Sequence, residues 1–310
     1  MATEQLPLMK PGNPVSDIIS GIEPYYYSTL GGAYIGDCLD LMKSIPSEKV
    51  DLIVTSPPYA LTFKKEYGNV GADEYPDWFM PFAEEFHRIL KEEGSLVINI
   101  GGSWRKGSPT RNLYQFTLLQ KLTTKFHFAQ EFFWYNPAKL PSPAEWVNVR
   151  RIRVKDAVEY IWWLSKSEFP KADNRRVLQP YSDDMKYIIK NGYRVKTRPS
   201  GHNITNKFQK DNEGAIPPNL LIIGNTDSSS RYIKECERNG IKPHPARFPK
   251  ELPDFFIRFL TERGDIVMDP FAGSNVTGMV AELLKRRWIA IELAAEYLDG
   301  SKFRFDAVFS

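Results

Sequence analysis

Two short segments of this chain bring together side chains that could handle an amine and a nucleoside. The first is Ser56-Pro57-Pro58-Tyr59, which follows the apolar run 50–55. The serine hydroxyl and the backbone carbonyl of Pro57 are two hydrogen-bond acceptors side by side. Such a pair can take both N–H bonds of an exocyclic amine and hold its lone pair toward an electrophile while positive charge develops on nitrogen. Cytosine N4 needs that help, because its lone pair is delocalised into the ring. Pro57 and Pro58 have fixed φ and no N–H, so they stiffen the loop. Tyr59 offers a ring face on which a base can stack once extruded, as it must be, since the reacting atom is out of reach inside a duplex.

The second segment is Asp269-Pro270-Phe271-Ala272-Gly273-Ser274-Asn275-Val276-Thr277, after the apolar run 266–268. Strand, acidic residue, glycine turn and helix start make a nucleoside-cofactor site, because the turn brings backbone close to the ligand and the helix end presents free N–H groups. Glu292 follows 289–291, roughly twenty residues on, where a second acidic residue accepts hydrogen bonds from ribose hydroxyls. A dinucleotide is disfavoured: Gly273 and Gly278 stand alone without the G-x-G-x-x-G cradle for a pyrophosphate. Attack at cytosine C5 needs a cysteine nucleophile, and neither Cys38 nor Cys236 follows a proline in a catalytic loop. Zinc deamination needs H-x-E with C-x-x-C, which the chain lacks. Of the four histidines, His87 and His127 fall in helix and strand patterns, whereas His202 and His244 could touch nucleic acid.

The elements that must position these loops are legible as apolar, β-branched runs. Runs 50–55 and 266–268 end at the two loops and read as buried parallel strands. Further strands are expected at 32–35, 95–100, 129–135, 158–164 and 288–291. Between them, Trp78, Phe79, Phe82, Phe86, Ile89 and Leu90 repeat at helical spacing, read as core packing, with Gly94 expected as the C-cap. Alternating strands and helices predict an α/β fold with a doubly wound, mostly parallel sheet and ligands beyond the carboxyl ends of the strands. Residues 167–240 turn polar and turn-rich and read as an inserted module. The expected divisions are an N-terminal arm (1–28), a catalytic half (29–166), the module (167–240) and a cofactor half (241–310).

Composition sets outer bounds. With 42% hydrophobic and 25% charged residues over 310 positions, the chain can bury an ample core. Two cysteines cannot build a disulfide framework or a four-ligand zinc site, which suits a reducing cytoplasm, and no metal is expected. No run approaches the ~20 apolar residues of a membrane span. The net charge of +3 is too small to name a polyanion partner. Locally the balance differs: 186–210 holds seven Lys or Arg and no Asp or Glu, interleaved with Tyr187, Tyr193, His202 and Phe208. Phosphate and base contacts are therefore expected from Lys186, Lys190, Arg194, Lys196, Arg198, His202 and Lys207, the plainer alternative being a solvated loop.

With Thr55-Ser56-Pro57-Pro58-Tyr59 and Asp269-Pro270-Phe271-Ala272-Gly273-Ser274 both in view, the chain resembles the β-class amino methyltransferases of bacterial restriction-modification systems. The likeness runs through 136–143, 153–157, 196–202 and 244–249 and covers nearly everything after residue 30. It implies a circularly permuted methyltransferase fold, in which the catalytic segment precedes the cofactor segment, as it does here. It implies S-adenosyl-L-methionine as methyl donor, double-stranded DNA as partner, and a short palindromic target for which CAGCTG is the expectation. Residue by residue, it implies that Ser56, Pro57, Pro58 and Tyr59 handle the base. Asp269, Pro270, Phe271, Ala272, Gly273, Ser274, Asn275 and Thr277 would hold the methionine part of the donor and Glu292 its ribose. Asp37, beside Cys38, would meet the adenine amino group, and Pro245 to Phe248 would lead the helix closing the donor pocket. Serine rather than Asp or Asn before the prolines favours cytosine N4 over adenine N6. Asn275 stands where the family often has a second glycine, which would keep the loop further from the donor. An RNA N4-cytosine methyltransferase, a DNA adenine-N6 methyltransferase and a catalytically dead nucleic-acid-binding module are the alternatives.

Overall fold

Describing residues 12–60, 70–192, 210–226 and 230–305, the computed structural model gathers every expected strand into one nine-stranded sheet. In chain order these are β1 (Tyr26–Tyr27), β2 (Gly31–Ile35), β3 (Val50–Thr55), β4 (Leu90–Ile100), β5 (His127–Tyr135), β6 (Val158–Ser165), β7 (Leu220–Ile222), β8 (Ile266–Asp269) and β9 (Arg287–Glu292). Across the sheet the order is β1-β2-β9-β8-β3-β4-β6-β5-β7. Strands β2, β9, β8, β3 and β4 run parallel, and β6 is antiparallel to both β4 and β5.

Alternation of side chains lets this one sheet serve two cores. On one face Ile53, Met268, Ile289 and Ile291 pack with Phe79, Phe82 and Phe86 of α2 (Tyr75–Ile89) and Leu118 and Leu122 of α3 (Tyr114–Leu122). On the other, Leu52, Val54, Val267 and Ala290 pack with Phe256 and Ile257 of α6 (Glu251–Leu260) and Val280 and Ala281 of α7 (Val276–Leu283). Every residue of β3 and β8 is buried, which is why both read as mainly apolar runs, with Asp51, Thr55 and Asp269 as the buried polar exceptions. The fold is therefore α/β, doubly wound and mostly parallel. Strand β8, late in the chain, sits between β9 and β3, so the carboxyl end of β8 lies beside that of β3.

Several expectations need correcting. Within the supposed arm, Val15, Ile18 and Ile19 are buried in the first core and β1 pairs with β2, so 13–28 belong to the domain. Helix α2 ends at Ile89, not at Gly94, because Leu90 already adopts extended geometry and begins β4. Gly94 instead lies within β4, at the register shift between the Leu90 and Ser95 pairings, where an added Cβ would meet the Lys91 carbonyl at 2.8 Å. The described residues of 167–240 are joined to the sheet and its helices. β7 pairs with β5, Arg176 donates to the Thr261 carbonyl at 2.9 Å, and Tyr232 and Ile233 of α5 (Arg231–Arg238) form a small core of their own with Cys236. Helix α4 (Asp183–Asn191) contributes no buried residue.

Candidate active site

Where the carboxyl ends of β3 and β8 meet, the sheet opens into a cavity of about 1060 Å³ lined by Asp37, Ser56, Tyr59, Phe271, Gly273 and Glu292, among others. Pro57, Pro58, Cys38, Pro270, Ala272, Ser274 and Phe248 also line it, so most of the residues nominated from sequence converge.

The donor half is built from backbone and ring faces. Gly36 and Gly273 line it with φ of +146° and +51°, and a Cβ on Gly273 would sit 3.1 Å from the His244 ring. Glycine is what lets the loop pass between that ring and the cavity. Glu292 holds the loop from below: Oε2 accepts from Gly273 N–H at 2.8 Å and Oε1 from Ala294 N–H at 3.0 Å. Burial raises its pKa, against the pull of those N–H groups. Asp37 caps α1 (Cys38–Met42), accepting from Leu39 N–H at 2.8 Å, and stays exposed at the rim. Burial pushes the neighbouring Cys38 thiol up to about 12, with the Asp37 charge adding to the effect, so it forms a neutral wall. The Phe271 ring lies 5.3 Å from Phe82 and 6.5 Å from Trp78. Part of the aromatic stripe on α2, read from sequence as core alone, thus lines the cavity.

Three nominated residues stand behind this wall. Asp269 is 2% exposed, and its carboxylate accepts from Thr55 Oγ1 at 2.8 Å, Thr277 Oγ1 at 2.8 Å and Phe271 N–H at 3.1 Å. It ties the end of the acceptor strand to the donor loop and to α7. Burial raises it to about 6 despite those donors. Thr277 is spent on the same bond. Asn275 adopts the left-handed conformation (φ 52°, ψ 46°), turns its Oδ1 back to cap α7 at Gly278 N–H (3.0 Å), and donates to the Tyr26 hydroxyl at 2.9 Å. Asparagine tolerates this backbone better than most residues, and its side chain leaves the cavity clear. Ser274 reaches the cavity, yet its Oγ and carbonyl accept from Arg304 at 3.1 and 2.7 Å. Arg304, buried over the Tyr232 ring, braces the loop from outside any motif.

The acceptor half is built from side chains. Ser56 Oγ donates to the Tyr59 hydroxyl at 3.2 Å, and that hydroxyl donates to Glu159 Oε2 at 2.9 Å. Asn99 Nδ2 lies 2.5 Å from the Tyr59 hydroxyl, and Lys139 pairs with Glu159 at 2.8 Å. The Tyr59 ring lies against Gly101, where a Cβ would meet it at 2.6 Å. Asn99, Lys139 and Glu159 were not singled out from sequence. They come from β4, the loop after β5 and β6, and no spacing links them. His244 lines the cavity beside the donor loop and packs on Tyr297, ring centroids 4.4 Å apart.

Of the expected phosphate contacts, Lys186 and Lys190 lie on exposed α4, Lys186 paired with Asp183 at 2.9 Å. Arg194, Lys196, Arg198, His202 and Lys207 lie outside the described residues. Among the described residues no group of His, Cys, Asp and Glu is placed to hold a metal ion, and no helix is long and apolar enough to cross a membrane.

The DNA methylase family matches residues 50–303, from the acceptor strand to beyond the donor half. The chain belongs to this family. It is 52% identical to the type II methyltransferase M.PvuII of Proteus hauseri over 92% of this chain and 86% of that one. It superposes on the solved PvuII DNA methyltransferase (cytosine-N4-specific) with a TM-score of 0.75 and 46% identity, covering 92% and 89% of the two chains. The DNA adenine methyltransferase YhdJ of Escherichia coli (strain K12) is 29% identical over 93% and 87%. A DNA methylase of this kind takes its methyl group from S-adenosyl-L-methionine, and the donor half fits that molecule. Gly36 and Gly273 bring backbone to the cavity at positive φ, the Phe271 and Trp78 rings give it apolar faces, and the carboxylates of Asp37 and Glu292 stand in its lining.

Proposed function

We propose that this DNA methylase transfers a methyl group to N4 of a cytosine flipped out of duplex DNA, as the modification enzyme of a restriction-modification system. One observation carries the reading: Ser56, the Pro57 loop and Tyr59 open into the same cavity as Gly273 and Glu292, on strand ends tied by the Thr55–Asp269–Thr277 bonds. Bound S-adenosyl-L-methionine supplies an electrophilic methyl group there. Ser56 Oγ and the Pro57 carbonyl accept the two N4–H bonds, and Tyr59 stacks on the base. Asp37 meets the adenine amino group and Glu292 the ribose.

Sequence choice falls to residues 167–240, with the basic stretch 186–210 on phosphates and base edges. α4, which buries none of its residues, supports this. The resemblance points to CAGCTG as the target. Labelled donor should methylate a duplex holding that site, and digestion should yield N4-methylcytosine. N6-methyladenine, or label entering ribosomal RNA in preference to the duplex, would overturn the proposal.

A further inference from the structure

The acceptor half holds a carboxylate that the reading above leaves unused. Glu159, the second residue of β6, stands at the cavity wall with its side chain 17% exposed. Its Oε1 accepts from Lys139 Nζ at 2.8 Å. Its Oε2 accepts from the Tyr59 hydroxyl at 2.9 Å and from Asn99 Nδ2 at 3.1 Å. An ionised carboxylate can only accept, so the Tyr59 proton points at Glu159. The Tyr59 oxygen is left to accept, as it does from Asn99 Nδ2 at 2.5 Å and Ser56 Oγ at 3.2 Å. The Ser56 proton is then committed to Tyr59, and the lone pairs of Ser56 Oγ remain to accept from an incoming amine. A single charge, compensated by Lys139, thus fixes the direction of each bond in the chain. The network is not needed to hold the Tyr59 ring, which the close approach of Gly101 already seats.

We infer that Glu159 sets the polarity of the Ser56–Tyr59 pair and receives the proton that the methylated amine gives up. This rests on the N4-methylation reading. The N4 lone pair forms the new N–C bond, and the S–CH3 bond of the donor breaks with its electron pair passing to sulfur. One N4 proton moves to Ser56 Oγ, the Ser56 proton to the Tyr59 oxygen, and the Tyr59 proton to Glu159. One N–H and two O–H bonds break and three O–H bonds form. Amine, sulfonium and carboxylate become methylamine, thioether and carboxylic acid. Burial holds the Tyr59 pKa well above its usual 10, with the Glu159 charge adding to it, so the phenol conducts the proton without becoming the base.

Single-turnover methyl transfer at saturating donor and duplex tests this, using Glu159→Gln, Tyr59→Phe, the double variant and Ser56→Ala. Glu159→Gln and Tyr59→Phe should each slow transfer about 10²-fold. The double variant should be no slower than the worse single, because both break one path. Donor and duplex affinities should stay within about two-fold, which also shows that the variants fold. A merely structural Glu159 would give multiplying losses or weakened binding. Glu159→Gln near wild-type rate, with Ser56→Ala slow, overturns the inference alone; Ser56→Ala near wild-type rate overturns the N4 reading beneath it.

Discussion

The two halves of the cavity are built on opposite plans. In the donor half the polar side chains of Asp269, Asn275 and Thr277 turn away from the cavity to brace the loop, and the cavity is lined by backbone, glycine, rings and the carboxylates of Asp37 and Glu292. In the acceptor half Ser56, Tyr59, Asn99 and Glu159 turn toward the cavity and toward one another. On the reading proposed above the donor is held by shape together with the two carboxylates, since it must bind and leave at every turnover. The base amine is met by directed polarity, since its reactivity has to be changed. Substitutions should therefore separate binding from rate according to the half in which they fall.

The largest effect should come from the acceptor side. Ser56→Ala removes one of two acceptors aligning N4 and should lower kcat by ~10² to 10³, with both ligands still bound. Steady-state kinetics beside equilibrium binding checks this, and a rate within a few-fold of wild type counts against the assignment. Next is the donor side. Glu292→Ala should weaken S-adenosyl-L-methionine binding by about 1.5 to 3 kcal/mol, the range for a lost hydrogen bond to a charged group, while DNA binding survives. Calorimetry with an unchanged donor affinity would show that Glu292 does not meet the ribose.

Asp269 sharpens the contrast, because it acts on the donor loop without facing the ligand. Burial raises its carboxyl in the folded protein to about 6, above the ordinary 3.8. The folded state therefore keeps a proton that the unfolded chain has released, and stability falls as pH rises from about 4 to about 6, flattening above. Urea unfolding across that window should show the slope, and Asp269→Asn should remove it; an identical slope in the variant would assign it to another group. The smallest effect belongs to the surface. Lys186→Ala and Lys190→Ala should each weaken all duplexes alike and reduce the salt dependence by roughly one unit of slope. A salt series on matched and one-base-altered duplexes checks this, and unchanged slopes in both would remove α4 from the DNA contact.

Much of the fold was legible because central parallel strands are apolar on both faces. β3 and β8 announce themselves as runs and deliver Ser56 and Gly273 to the same edge. What stayed hidden had no local signature. Val15, Ile18 and Ile19 fall within the expected N-terminal arm, and only the sheet offers them a face. The inward turn of Asp269 depends on Thr55, far away in sequence, and the Glu159 network joins four elements that only the sheet order brings together. Motif reading finds the loops that carry chemistry; it does not find which of their side chains face the ligand.

The central claim, that one cavity joins this donor half to an acceptor half tuned for cytosine N4, is tested most directly in DNA from cells expressing the chain. Sequencing that distinguishes N4-methylcytosine from N6-methyladenine should find N4-methylcytosine confined to one short palindrome, and absent when Ser56→Ala replaces the wild type. N6-methyladenine at that motif, or N4-methylcytosine persisting with Ser56→Ala, would contradict it.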